Sequence, residues 1–482
     1  ALPPGLVTED LRVTFHDPAP GIYPHITITV QHAGGYRPEL PRVEATAQAE
    51  LRPVVAVLLT PQCTCGFVEC TNITNTNVLN AFGQTLFNTS GDSVRNFFLE
   101  MSQGEYGIRQ VGLFQVVPMD DPATANQNES DNCAKPAWTG AEQHRAYVAQ
   151  RVLGQQLNFN FGAWDADSDG TVEEDELIVL LAATDRHTQN ARVRRSEPRS
   201  VQVGNVNVQV NYVMVQPGTD FSTIAHELVH ATPHAETGAT PGDMYGGEGN
   251  AGTYGLMDNH CHGRINELDP NVPYLPAQHI VSRRPHLDPW NKIEMGWITP
   301  TVITGSQWVN IGMVESGGGV YLVRNPDDSG TEYFLVENRW PADSVYETAL
   351  PDSGLAIWHI NESLLPDHRR AVALERAGGG ANSGAGESFC NDDNDNTALW
   401  DGSEDFYPSS SPNSDYRNGT DSDVAVLCIG PPGPNVQAYL SGDWSQTVLP
   451  QDTEEPNPTF ATAEQITLGT YDRTLHAPCD TD

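Results

Sequence analysis

Two stretches constrain the fold of this chain more than any other feature. Arg52-Pro-Val-Val-Ala-Val-Leu-Leu-Thr60 and Glu176-Leu-Ile-Val-Leu-Leu-Ala-Ala183 are apolar at every position inside their ends. Runs of that length suit buried strands. Val206 to Val215 alternates apolar and polar residues and reads as a further strand, leading into Thr219-Asp220 as an N-cap region for a helix. Asp92 to Met101 has helical spacing, with Val94, Phe97, Phe98 and Met101 on one face and Gly104 to end it. Ala141 to Leu157 reads as a second helix. Upstream, Leu11-Arg-Val-Thr-Phe15 and Ile26-Thr-Ile-Thr-Val30 alternate as strands between Pro/Gly turns.

After residue 300 the texture changes. Short strand-like runs recur at Trp308–Met313, Gly319–Arg324, Tyr333–Glu337, Leu355–Ile360 and Val424–Ile429, separated by Gly, Pro, Asn and Asp. This is the pattern of a β-rich domain. Residues 375–423 are rich in Gly, Ser, Asn and Asp and are expected to form long surface loops. A chain of 482 residues is too long for one compact core. The expected division is an N-terminal β-rich segment (1–50), a central domain (51–300), a β-rich domain (301–445) and a terminal linker (446–482).

The formal net charge is −38, and Lys135 and Lys292 are the only lysines. Such a surface repels nucleic acid and anionic membrane and favours cations. No apolar run approaches the length of a membrane span. The start, Ala-Leu-Pro-Pro, lacks the pattern of a signal peptide, so either a leader was removed or none existed. Eight cysteines (Cys63, Cys65, Cys70, Cys133, Cys261, Cys390, Cys428 and Cys479) fit disulfides in an oxidising compartment. A zinc-thiolate site at Cys63, Cys65 and Cys70 is the weaker alternative, because no second pair at finger spacing follows.

The segment Ile224-Ala-His226-Glu227-Leu-Val-His230 carries the chemistry. Residues four apart on a helix lie one above the other, so His226 and His230 can reach one metal ion from one face. Glu227 is then placed to act as general base on a metal-activated water. An amphipathic helix with two surface histidines is the bland alternative. Three residues compete as third ligand. Asp243 follows the turn-rich Gly238-Ala-Thr-Pro-Gly242, Glu236 sits six residues after His230, and His234 lies two turns beyond His226 with Pro233 between. Tyr245 is a candidate oxyanion stabiliser, with Tyr254, His260 and His262 as weaker ones.

A second cation motif lies upstream. Asp165-Ala-Asp167-Ser-Asp169-Gly170-Thr171-Val-Glu173-Glu-Asp-Glu176 places oxygens at positions 1, 3, 5, 7, 9 and 12 of a calcium loop, with glycine at 6. Thr171 would offer its backbone carbonyl and Glu176 a bidentate carboxylate. A strand follows directly, so the loop is expected to be a structural staple. Residues 391–396 and 401–405 are also oxygen-rich, as a second calcium site or an acidic loop.

Several blocks resemble the immune inhibitor A-like family of secreted zinc metalloproteases. Ser93-Val-Arg-Asn-Phe-Phe-Leu-Glu-Met-Ser102-Gln-Gly104 is similar to the family's early helix. Asp243-Met-Tyr245 resembles the family's Asp-x-Tyr after the zinc helix, with several extra residues between it and His230. Tyr254-Gly-Leu-Met257-Asp258 resembles the Met-bearing turn beneath the metal. Residues 285–297 resemble the block that closes the catalytic domain, and 332–339 and 354–360 the β-rich region after it.

The resemblance spans roughly residues 50–430. It implies an α+β fold, with a metzincin-like zinc protease domain followed by a β-rich, sandwich-like domain. It further implies catalytic zinc, structural calcium, Asp243 as ligand, Met257 as packing under the ligands, secretion, and protein or peptide substrates. Residues 457–469 resemble the start of a pre-peptidase C-terminal domain that the remaining chain is too short to complete. Two rival readings are a non-catalytic adhesion protein stabilised by calcium and a narrow-substrate zinc exopeptidase. Oligomeric state is not legible.

Overall fold

The computed structural model describes residues 11–15, 26–30, 50–59, 76–116, 152–183, 199–214, 221–235, 239–244, 251–258, 285–328, 330–348, 350–377 and 397–446. The chain divides into two units, Ala1–Gln48 and Ala49–Asp482. The first contains an antiparallel pair, β1 (Leu11–Phe15) and β2 (Ile26–Val30), in register from Leu11 opposite Val30 to Phe15 opposite Ile26.

In the second unit, both apolar runs become strands of one sheet. β3 (Glu50–Leu59) lies between β4 (Tyr106–Val116) and β6 (Ile178–Ala183), parallel to each. β8 (Val206–Met214) continues the sheet in parallel and is flanked by the short β5 (Thr171–Val172) and the antiparallel β7 (Arg199–Val203). Successive side chains of a strand point to opposite faces. Here Val54, Ala56 and Leu58 enter one core and Val55 and Val57 another. A strand covered on both sides has no use for polar residues, which is why its sequence is an unbroken apolar run.

Helices cover one of those faces. α1 (Thr76–Phe87) contributes Phe82 and Leu86, and α2 (Val94–Met101) contributes Val94, Phe97, Phe98 and Met101. Ser93 caps α2 by accepting the Asn96 N–H at 3.1 Å. The expected helix over 141–157 falls mostly outside the described residues. Its end, Val152–Gln156, is a single π turn.

Beyond residue 300 the chain forms two further sheets. β9 (Thr301–Ile303), β11 (Tyr321–Val323), β12 (Glu332–Arg339), β13 (Gly354–Asn361) and β14 (Val372–Glu375) make a five-stranded sheet in the order β14-β13-β12-β11-β9. β10 (Ser306–Gly312), β16 (Asn435–Ser441) and β15 (Ala425–Leu427) make a three-stranded one. Phe334, Val336, Leu355 and Ile357 face Ile311, Val436, Ala438 and Leu440 across a common core. The opposite face of the five-stranded sheet, with Leu335, Trp358 and Ile360, joins the core that holds Val54, Phe97 and Phe98. Residue 300 therefore separates sheets, while the hydrophobic core runs across it. The architecture is mixed helix and sheet, of the α+β kind.

Residues 397–424 carry short turns and isolated bridges, in keeping with their Gly/Ser/Asn/Asp composition. Cys428 is disulfide-bonded, and the other seven cysteines lie outside the described residues. Residues 447–482 and 391–396 lie outside them too. Among the described residues no helix is long and apolar enough to cross a membrane.

A charged clamp ties three strands of the five-stranded sheet together. His359 of β13 places Nε2 at 2.8 Å from Glu332 Oε1 of β12 and Nδ1 at 2.9 Å from Glu375 Oε1 of β14. Burial pushes the imidazole pKa down, but the two carboxylates outweigh it and raise it. A raised histidine pKa stabilises the fold fully below the unfolded value of about 6.5, and that contribution fades as pH rises through the folded pKa. Glu332 behaves oppositely: burial pushes its carboxyl up, yet His359 and the Arg417 N–H pull it below its ordinary value. Its contribution is present above about 4.3 and fades as pH falls through the folded pKa. The clamp is therefore strongest between about pH 4.3 and 6.5. His359→Gln is expected to flatten the decline of the unfolding midpoint above pH 6.5. An unchanged profile in the variant counts against the clamp.

Candidate metal centre

The helix α3 (Phe221–Val229) is fixed by its apolar side: Ile224, Ala225, Leu228 and Val229 are buried in the core beneath the first sheet. That packing leaves His226 and His230 one turn apart, with ring centroids 5.1 Å apart and planes at 86°. The helix closes with tight turns, Ala231 N–H to Leu228 O and Thr232 N–H to Val229 O, both 2.9 Å. Pro233 has no N–H to extend it. His234 N–H then donates to Ala239 O at 2.6 Å, and the chain doubles back toward the histidines.

Two backbone carbonyls orient the imidazoles. Nδ1 of His226 donates to Leu256 O at 2.8 Å, and Nδ1 of His230 donates to Pro241 O at 2.7 Å. With Nδ1 carrying the proton, each Nε2 presents a lone pair to the space between the rings. Both Nε2 atoms approach a single oxygen, Asp243 Oδ1, at 3.2 Å. Two imidazole nitrogens and a carboxylate oxygen converge on one point. Glu227 adds its carboxylate to the same His-Glu-His group, whose ligand atoms lie within 4.8 Å of one another. His226, Glu227 and His230 are buried, while the Asp243 side chain is 41% exposed and opens the centre to solvent.

Three acceptors facing one another repel unless positive charge lies between them. Protons on the rings or a metal ion can supply it. The electrostatics favour positive charge. Burial opposes a charged His226, but Asp243, Glu227 and the Leu256 carbonyl outweigh burial and raise its pKa. Burial likewise pushes Asp243 up, and the contacts with His226 and His230 hold its carboxyl well below the usual range. The donor set, two imidazoles and one carboxylate with a carboxylate beside them, is one that divalent zinc accepts.

The alternatives for third ligand separate in space. His234 is buried against α4 (Pro289–Glu294), with Nε2 3.3 Å from Asn291 Oδ1 and its ring 5.5 Å from Trp290. Glu236 lies outside the described residues, as do Tyr245, His260 and His262. Met257 is fully buried in the same core as α3, one residue after the carbonyl that holds His226. Its own carbonyl accepts the Met244 N–H at 3.0 Å, tying the segment that carries Asp243 to residues 254–258. Tyr254 is fully buried core. The Leu256 and Pro241 carbonyls escaped the sequence reading because a backbone group has no residue signature.

The acidic loop at 165–176 is ordered around inward-facing carboxylates. Asp165, Asp167 and Asp169 form a group whose ligand oxygens lie within 4.8 Å of one another. Glu176 returns from the far end: Oε1 accepts the Ala166 N–H at 2.6 Å and Oε2 the Glu173 N–H at 3.2 Å. Gly170 adopts φ +91°, a turn that a side chain at that position resists. Its carbonyl accepts the Asn207 N–H at 2.9 Å, so Thr171 starts β5 beside β8. Burial, then the charges of Asp169 and Glu176, push Glu173 up to about 7. Asp165 Oδ1 is buried with no hydrogen-bond partner among the described residues.

No protein-family model matches this chain, and no curated protein sequence matches it.

Proposed function

We propose that the chain is a secreted zinc-dependent endopeptidase that hydrolyses peptide bonds of extracellular proteins. The observation that carries this reading is the convergence of His226 Nε2, His230 Nε2 and Asp243 Oδ1 on one point beside Glu227. His226, His230 and Asp243 would hold the metal. Zinc, when bound, polarises a substrate carbonyl and acidifies a water. Glu227 receives the proton of that attacking water on a carboxylate oxygen and passes it to the leaving amine. The Leu256 and Pro241 carbonyls keep both Nε2 atoms aimed inward throughout. Met257 packs under the ligands without binding the metal. The Cys428 disulfide supports an oxidising, extracellular setting. Metal analysis of the purified full chain should return one zinc per chain. Casein cleavage should be abolished by a chelator and restored by zinc. A protein that cleaves casein equally well with its metal stripped is not this enzyme.

The loop at 165–176 is a structural calcium site in this reading, with ligands from Asp165, Asp167, Asp169, Thr171, Glu173 and Glu176. The unpartnered Asp165 Oδ1 and the mutual repulsion at Glu173 support it. Calcium at about 100 times its Kd is expected to add about 2.7 kcal/mol of stability. Glu176→Gln should remove most of that gain. Identical unfolding midpoints with and without calcium would rule the site out.

A further inference from the structure

A residue from the second half of the chain packs against the segment that carries Asp243. Behind β13, the short helix α5 (His368–Ala371) begins with an imidazole that lies directly on Gly242. A β-carbon at 242 would come within 2.6 Å of His368 Cδ2, 3.2 Å of Cγ and 3.3 Å of Nε2. Gly242 is the residue between Pro241, whose carbonyl orients His230, and Asp243, whose carboxylate meets both histidines. Three consecutive residues thus supply an orienting carbonyl, a seat for a ring, and a ligand.

The ring is itself backed by rigid neighbours. His368 lies 5.7 Å from the Trp290 ring, and Trp290 lies 5.5 Å from the ring of His234. Trp290 donates from Nε1 to Glu362 Oε1 at 3.3 Å, the same oxygen that takes the Tyr333 hydroxyl at 2.7 Å. Tyr333 belongs to β12, so the five-stranded sheet reaches the Asp243 segment through Trp290 and His368. The Nδ1 atom of His368 is buried and has no hydrogen-bond partner among the described residues. Packing, more than hydrogen bonding, holds this imidazole in place.

We propose that His368 is a positioning residue for Asp243, pressing on Gly242 to hold the 241–243 segment against the two histidines. This rests on the reading of His226, His230 and Asp243 as metal ligands. Supporting residues around metal ligands are worth about 10–100-fold in metal affinity. The same segment carries both an orienting carbonyl and a ligand, so its loosening acts on two counts.

The test is zinc affinity of the full chain, measured by competition with a chromophoric chelator. His368→Ala is expected to weaken zinc about 10–100-fold. His368→Phe keeps a ring on Gly242 and should bind as the wild type does. Gly242→Ala pushes a methyl group into the ring and should weaken zinc on its own. In the His368→Ala background, the same Gly242→Ala change should cost almost nothing, because the ring it displaces is gone. A residue with only a general structural role gives no such coupling. Wild-type affinity in His368→Ala, or equal costs of Gly242→Ala in both backgrounds, overturns the proposal. If His368→Ala does not fold, Gly242→Ala alone decides: wild-type affinity there overturns it too. Asp243→Ala separates the two levels of inference. Wild-type zinc affinity in that variant removes the metal-centre reading itself, whereas its loss beside an unaffected His368→Ala removes only the role of His368.

Discussion

Glu227→Gln is expected to lower peptide hydrolysis by about 10²–10⁴-fold, the range of a general base, while zinc content stays at the wild-type level. The substitution keeps the size and the helical propensity of the side chain. It removes the one property the proposed chemistry needs, a carboxylate that can accept a proton. The ligands are untouched, since His226 and His230 are held by the Leu256 and Pro241 carbonyls and neither bond involves Glu227. A calcium-stabilised adhesion protein on the same scaffold has no use for a base at this position, so its binding would be indifferent to the change. The measurement is casein turnover beside metal analysis on the same preparation. Full activity in a zinc-loaded Glu227→Gln protein sinks the role of Glu227 as general base. Lost activity together with lost zinc would show that Glu227 holds the site together and does not act as its base.

How much of this was legible beforehand follows from the range over which each feature is determined. Val94, Phe97, Phe98 and Met101 form the buried face of α2 as their spacing predicts, because an amphipathic helix writes its packing into consecutive residues. β3 and β6 appear where the apolar runs lie. His226, Glu227 and His230 come together because one helical turn spaces them. Asp243 was one candidate among three, since its approach depends on a turn that no local pattern fixes. α1 was missed, although Leu79, Phe82 and Leu86 repeat at three- and four-residue intervals, because polar residues and Gly83 dilute the stripe. The shared core across residue 300 could not be read at all. Trp358 shares a core with helices more than 250 residues earlier in the chain, and nothing in either segment names the other.

That shared core makes Arg339→Met the second change expected to have a large effect, a loss of about 3–5 kcal/mol in unfolding free energy. Arg339 is fully buried, as are Glu337 and Glu347. Its Nε donates to Glu337 Oε1 at 2.8 Å, and its Nη1 donates to Glu347 Oε1. Methionine fills similar space but leaves two buried carboxylates without the guanidinium that hydrogen-bonds them. An ion pair broken on one side costs far more than the intact pair contributes, because the stranded charge keeps its desolvation penalty. Lys292, also buried, is then the one cation left among the described residues to face Glu337, Glu347 and Glu315. Glu315, beside Glu347, is already pushed up to about 9 by burial and by that neighbouring charge.

The damage should also reach the candidate metal centre. Glu347 Oε1 accepts the His286 N–H at 2.6 Å, His286 O accepts the Leu256 N–H at 3.0 Å, and Leu256 O accepts Nδ1 of His226. Denaturant unfolding of the full chain measures the first effect, and chelator competition for zinc measures the second. Replacing Glu337 and Glu347 together with Arg339 by apolar residues of matching volume should recover most of the lost stability, since no charge is then stranded. A loss below about 1 kcal/mol in the single variant would mean that water or a counter-ion reaches this cluster, and that the core spanning residue 300 is not sealed.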